Sequence, residues 1–171
     1  MTTTRTTSGR ISLQTAAPGF SRAMAQLQRA STTELSEAGV EPLLAELVKI
    51  RASQLNGCAY CLDMHTKDAR AAGETEQRIY ALPAWREAPF YTARERAALA
   101  FAESVTLVAG THVPDSDYEA VAAEFSDQEI AALLTAIVTI NAWNRIVAAT
   151  RSYEVGSYQP RHPGADVNGS S

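Results

Sequence analysis

Residues 42–74 read PLLAELVKIRASQLNGCAYCLDMHTKDARAAGE, and the punctuation of this stretch decides the fold class. Proline in a first helical turn has its φ already set and needs no N–H partner there, so Pro42 opens a helix that runs through Leu55. Asn56-Gly57 stops it. A second helix is predicted over residues 58–72, closed by Gly73 as a left-handed cap. The chain therefore makes two helices joined by a tight break, with both of its cysteines just past the break.

The same signals recur on either side. Thr92-Ala93-Arg94-Glu95 is a capping box, in which hydroxyl and carboxylate satisfy free N–H groups, ahead of AALAFAESVTLV. Ser126-Asp127-Gln128-Glu129 is another, opening the longest apolar helix, predicted over residues 127–150. Shorter helices are expected near residues 21–38, 76–86 and 116–125. No Asn-Gly hairpin flanked by alternating apolar residues is present. Six to seven helices with short links predict an all-α helical bundle.

The 127–150 helix is apolar on nearly every side, with Ile130, Leu133, Leu134, Ile137, Val138, Ile140, Trp143, Ile146 and Val147. Such a helix is buried in a core or in a subunit interface, so a homo-oligomer is expected to cover it. Asn141, Asn144 and Arg145 on it then need partners.

A net charge of −4 over 171 residues gives no basic face for nucleic acid or an anionic membrane. No uninterrupted apolar run approaches about 18 residues. MTTTRTTSGR at the N-terminus has no apolar core of a signal peptide. Residues 1–10 and 158–171 have the composition of flexible tails, which leaves 11–157 as the domain and a cytoplasmic protein as the expectation.

The chain has two cysteines, too few for a disulfide scaffold. At about 100° per residue, Cys58, Cys61 and His65 fall within about 60° on one helical face. Both thiols stand in a first turn, where free N–H groups and the helix dipole favour an anion. His65, one turn from Cys61, is placed to take a thiol proton or to hold a thiolate, the nucleophilic form. A redox-active dithiol accounts for the pair, the helix start and the histidine together. Zinc is an alternative, with three ligands where a structural site wants four; His112 and His162 lack partner spacing. Covalent haem attachment is excluded, because Leu62 and not histidine follows Cys61. Two buried thiols beside a satisfied histidine remain the plain reading.

Glu46 falls just outside the apolar arc of its helix and reads, alone, as a surface carboxylate paired with Lys49 or Arg51. Arg51 sits near the middle of that arc, so it should be paired or at an interface. Trp143 and Asn144 are candidate pocket residues, though large side chains on an apolar helix are more often core. Tyr91 and His112 read as surface or packing residues, and Arg94 and Arg96 as solvated faces or ion pairs.

Taken together, Glu46, Cys58-Ala59-Tyr60-Cys61 and His65 form Glu-x11-Cys-x2-Cys-x3-His. This resembles the alkylhydroperoxidase D-like (AhpD-like) branch of the carboxymuconolactone decarboxylase family, as does INAWNRI on the long helix; the likeness covers about residues 20–158. The resemblance implies an all-α homo-oligomer, dimer-based, trimeric or hexameric, that reduces hydroperoxides without metal or cofactor. It implies Cys61 as the peroxidatic cysteine, Cys58 as its resolving partner in a Cys58–Cys61 disulfide, and His65 with Glu46 as the proton relay. The partners implied are a hydroperoxide and an external dithiol or dihydrolipoyl-type reductant protein. Founding members carry a further histidine directly before the second cysteine. Here Tyr60 holds that place, and a phenol of pKa about 10 does not relay protons in the same way. Two other functions stand beside this one: a decarboxylase-type lyase, whose branch does not depend on the cysteine pair, and a redox-sensing or zinc-binding interaction module.

Overall fold

The structure is a computed structural model and describes residues 8–160. Its regular elements are α1 (Leu13–Ala16), α2 (Pro18–Glu37), α3 (Pro42–Asn56), α4 (Ala59–Ala71), α5 (Glu76–Ala81) with a 3-10 turn over Leu82–Ala84, α6 (Ala93–Thr106), α7 (Val108–Thr111), α8 (Asp115–Ala122) and α9 (Asp127–Thr150). The bundle is all-α, as expected. Of the tails expected at 1–10 and 158–171, residues 1–7 and 161–171 lie outside the described residues.

Local chemistry explains most helix ends. Pro18 and Pro42 stand in the first turns of α2 and α3. Thr92 with Glu95 and Ser126 with Glu129 form complete capping boxes on α6 and α9. Gly57, at φ 65°, takes the left-handed conformation between α3 and α4 that other residues adopt at a cost. Three departures have equally local causes. The helix expected from residue 21 begins at Pro18, whose fixed φ favours the first turn. The helix expected over 76–86 gives way after Ala81 to the 3-10 turn, where Pro83 has no N–H to donate. Cys58 is not inside α4 but is its N-cap, with extended backbone at φ −87°, ψ 94°. The four-residue helices α1 and α7 carried no sequence signal.

Helix α3 lies at the centre, packed against α4, α6 and α9. Burial from several directions explains why Leu47, Val48 and Ile50 are all fully buried. One apolar cluster joins Leu44 and Val48 of α3 to Phe101, Leu133 and Ile137. A second joins Leu47 and Ile50 to Leu82, Trp85 and Leu99. The third is small and contains both cysteines, with Ala52, Ile140 and Val147. Helix α9 is long and apolar enough to cross a membrane by length and composition alone, yet half of that apolar window is buried inside the bundle. It is a core helix with an outer strip: Leu134 and Val138 remain 40% and 48% exposed.

The polar residues expected to need partners have them. Asn56 Nδ2 donates to Asn141 Oδ1 and Asn144 Oδ1, both at 2.9 Å. Asn144 Nδ2 donates to Ser53 Oγ at 3.0 Å, and Asn141 Nδ2 to Thr106 Oγ1 at 2.9 Å. Arg145 donates back to Asn141 at 2.8 Å. The Asn56 and Ser53 bonds fasten the end of α3 to α9 just before the Gly57 break. Arg51 donates to Glu103 Oε1 at 2.6 Å, and Glu103 also accepts from Trp85 Nε1 at 2.8 Å and Arg86 at 2.5 Å. Burial alone would raise the Glu103 pKa; the donors around it hold it lowered instead. Arg94 pairs with Glu41 and Glu129, whereas Arg96 donates to the carbonyls of Tyr91 and Trp85.

Candidate active site

Six side chains of the site come from the α3–α4 hairpin. Glu46 and Lys49 are three residues apart on α3, hence neighbours on one face. Cys61, His65 and Asp68 follow at spacings of four and three on α4, with Cys58 capping its start. Crossing of the two helices then brings Glu46 onto His65.

Cys58 and Cys61 form a disulfide with their Cα atoms 5.4 Å apart, and both are 1% exposed. The His65 ring Nδ1 and Glu46 Oε2 are hydrogen-bonded at 2.8 Å, and Lys49 Nζ donates to Glu46 Oε1 at 2.7 Å. Glu46 pairs with Lys49, one of its two expected partners, but it is part-buried and does not pair with Arg51: one oxygen takes Lys49 and the other His65. Burial would raise its pKa, but the His65 hydrogen bond and the Lys49 charge outweigh burial and bring it down from 4.5 to about 2. It is a carboxylate at every physiological pH.

A cavity of about 370 Å³ opens on this group. Glu46, Lys49, His65 and Asp68 give it a polar side; Met64, Ile140, Trp143, Tyr60 and Tyr153 give it an apolar one. Of the two cysteines, Cys61 lines the cavity. Trp143 lines it too, whereas Asn144 is 1% exposed and belongs to the core network. Tyr91 is buried packing and His112 is exposed.

Beyond α9 the chain turns back over α4. Tyr153 stacks on Tyr60, ring centroids 4.8 Å apart. Gly156 N donates to Asp63 Oδ2 at 3.1 Å, Lys67 Nζ to the Tyr158 carbonyl at 2.9 Å, and the Tyr158 hydroxyl to Asp68 Oδ1 at 2.7 Å. Burial, helped by Tyr153 and the Asp63 and Asp68 charges, pushes the Tyr60 phenol pKa up. Tyr60 is therefore an aromatic wall residue, further from titrating near neutral pH than a free phenol. Glu46, His65 and Asp68 also place possible metal-ligand atoms within 4.8 Å of one another. Each of the two carboxylates already accepts a hydrogen bond, Glu46 from Lys49 and Asp68 from Tyr158.

Sequence reasoning overlooked Asp68, Tyr153 and Tyr158. Asp68 had a signal, since a position three residues after His65 falls on the same helical face. Tyr153 and Tyr158 had none, because the segment that carries them has the composition of a loop or tail.

The fold and site define an AhpD-like protein, and the chain belongs to the carboxymuconolactone decarboxylase family, whose profile matches residues 18–104. It is similar to YdfG, an uncharacterized protein of Bacillus subtilis strain 168, with 42% identity over 142 residues, 83% of this chain and 94% of YdfG. Among solved structures it is similar to a protein of unknown function from Agrobacterium tumefaciens, provisionally assigned as an antioxidant defence protein AhpD. That match has a TM-score of 0.78 at 41% identity and covers 85% of this chain and 97% of that one. An uncharacterized peroxidase-related protein from Silicibacter sp. TM1040 matches with a TM-score of 0.68 at 26% identity, covering 77% of this chain and 68% of that one.

Proposed function

We propose that the protein is a thiol-dependent hydroperoxide reductase that cycles through the Cys58–Cys61 disulfide. The observation that carries this reading is the position of Cys61: it lines the cavity, one turn from the His65–Glu46 pair, with Cys58 bonded to it. The antioxidant and peroxidase-related descriptions of its structural relatives agree with it.

In the reduced protein the Glu46–His65 pair takes the proton of Cys61. The thiolate attacks the terminal peroxide oxygen; an S–O bond forms, the O–O bond breaks, and the leaving alkoxide recovers the proton as alcohol. Cys58 then attacks the sulfenic sulfur, the disulfide forms, and hydroxide leaves with the Cys58 proton as water. Two thiols and one hydroperoxide give one disulfide, one alcohol and one water. An external dithiol, small or protein-borne, returns the pair to thiols through a mixed disulfide. The nearby second thiol acts before over-oxidation to the sulfinic state.

The test is thiol titration with intact-mass analysis, before and after one equivalent of hydroperoxide, on the parent and on Cys58→Ser. The expected result is loss of both thiols in the parent and a sulfenic acid on Cys61 in the variant. Thiols that survive the oxidant in both proteins would sink the reading.

The outer strip of α9 supports a second proposal, a homo-oligomer in which another copy covers Leu134 and Val138. Light scattering at micromolar concentration should give a multiple of 18.4 kDa. A mass of one chain would refute it.

A further inference from the structure

Asp68 shares the α4 face of Cys61 and His65 and lines the same cavity, yet the chemistry above leaves it without a role. Its carboxylate lies within 4.8 Å of the His65 ring and the Glu46 carboxylate, so a single small group fits between them. Tyr158 occupies Oδ1 at 2.7 Å. Among the described residues no group donates to Oδ2. The carboxylate is thus held by Tyr158 with one acceptor oxygen to spare. Tyr158 is itself held through its carbonyl by Lys67, and Gly156 through its N–H by Asp63. The segment that fixes Asp68 lies well beyond the residues 18–104 of the family match.

A hydroperoxide has one hydrogen-bond donor, the O–H on its terminal oxygen, and that oxygen is the one a thiolate must strike. An ionised acceptor makes the stronger hydrogen bond to such a donor. We propose that Asp68, positioned by Tyr158, accepts the O–H of the bound hydroperoxide and so turns its terminal oxygen toward the Cys61 sulfur. The inference rests on the peroxidase reading. In the step itself sulfur is oxidised and the peroxide reduced by two electrons, the alkoxide takes the proton that Cys61 gave to His65, and Asp68 neither gains nor loses one. It orients the substrate. A peroxide with alkyl groups on both oxygens has no O–H to offer and gains nothing from it.

Two rates measured on reduced full-length protein at one pH separate this role from others: oxidation of Cys61 by tert-butyl hydroperoxide, and alkylation of Cys61 by iodoacetamide. Alkylation needs the thiolate but no hydroperoxide orientation. With Asp68→Asn, oxidation should fall about 10–100-fold, the value of one charge-assisted hydrogen bond, while alkylation is not slowed. Tyr158→Phe keeps the carboxylate and should lower oxidation about threefold or more in the same selective way; it also serves if the first variant does not fold. Unchanged oxidation in both variants, or oxidation and alkylation falling together, overturns the proposal. Parent protein that is alkylated but not oxidised overturns the peroxidase reading instead, which is a distinct result.

Discussion

Cys61→Ser will consume hydroperoxide, with dithiothreitol as reductant, more slowly than the parent by a factor on the order of 10³ or more. The thiol is the group that ionises near neutral pH, with an ordinary pKa of about 8.5, and only the anion is the nucleophile. A serine hydroxyl in the same place remains protonated even beside His65. Cys58→Ser should behave differently: it retains the first oxidation step but stalls without an internal thiol to resolve it. The two variants therefore separate attack from resolution. Peroxide loss followed in a stopped-flow instrument, with thermal melting of each variant as the folding control, decides the matter. A Cys61→Ser protein that turns over at the parent rate would mean that the disulfide is structural.

Glu46→Gln combines two effects that share one cause. Removal of the carboxylate leaves His65 without the hydrogen-bonded anion that orients its ring. Peroxide reduction should then fall by about 10²–10⁴-fold, the usual value of a positioned acid–base pair. The second effect is on acid stability. Glu46 titrates at about 2 in the folded chain against 4.5 in the reference state, so folding favours its ionised form. The resulting stabilisation is complete above 4.5 and is lost as pH falls toward 2. Its full size is on the order of 3 kcal/mol, of which about 2 has gone by pH 3. Urea unfolding of the parent at pH 7 and pH 3 should show this loss, and Glu46→Gln should lack that part of it. A variant with parental activity and parental acid sensitivity would remove Glu46 from both roles.

Much of the fold was legible because helix ends are written locally. Pro42, Gly57, Thr92 with Glu95 and Ser126 with Glu129 act on N–H and C=O groups within a few residues, and each stands where the helices begin or end. The short helices α1 and α7 were not legible, since four residues carry no periodicity. Arg51 was legible as a residue needing a partner, but not which partner. Glu103 lies 52 residues away, and its helix gave no sign of facing α3. The same holds for Glu46: its i,i+3 relation to Lys49 was visible, while its bond to His65 depends on how two helices cross.

By itself the sequence determined the helical class, the break at Gly57, and the common face of Cys61 and His65, since these follow from a 3.6-residue turn and from bonds that close within it. Only the tertiary structure decided that Cys61 lines a cavity, that Glu46 serves Lys49 and His65 at once, and that Tyr158 reaches Asp68 across 90 residues of chain. The physical reason is range. Caps and periodicity act along the backbone, whereas the charge state of Glu46 and the walls of the cavity are set by side chains that only the packing of α3, α4 and α9 brings within 3 Å to 5 Å of one another.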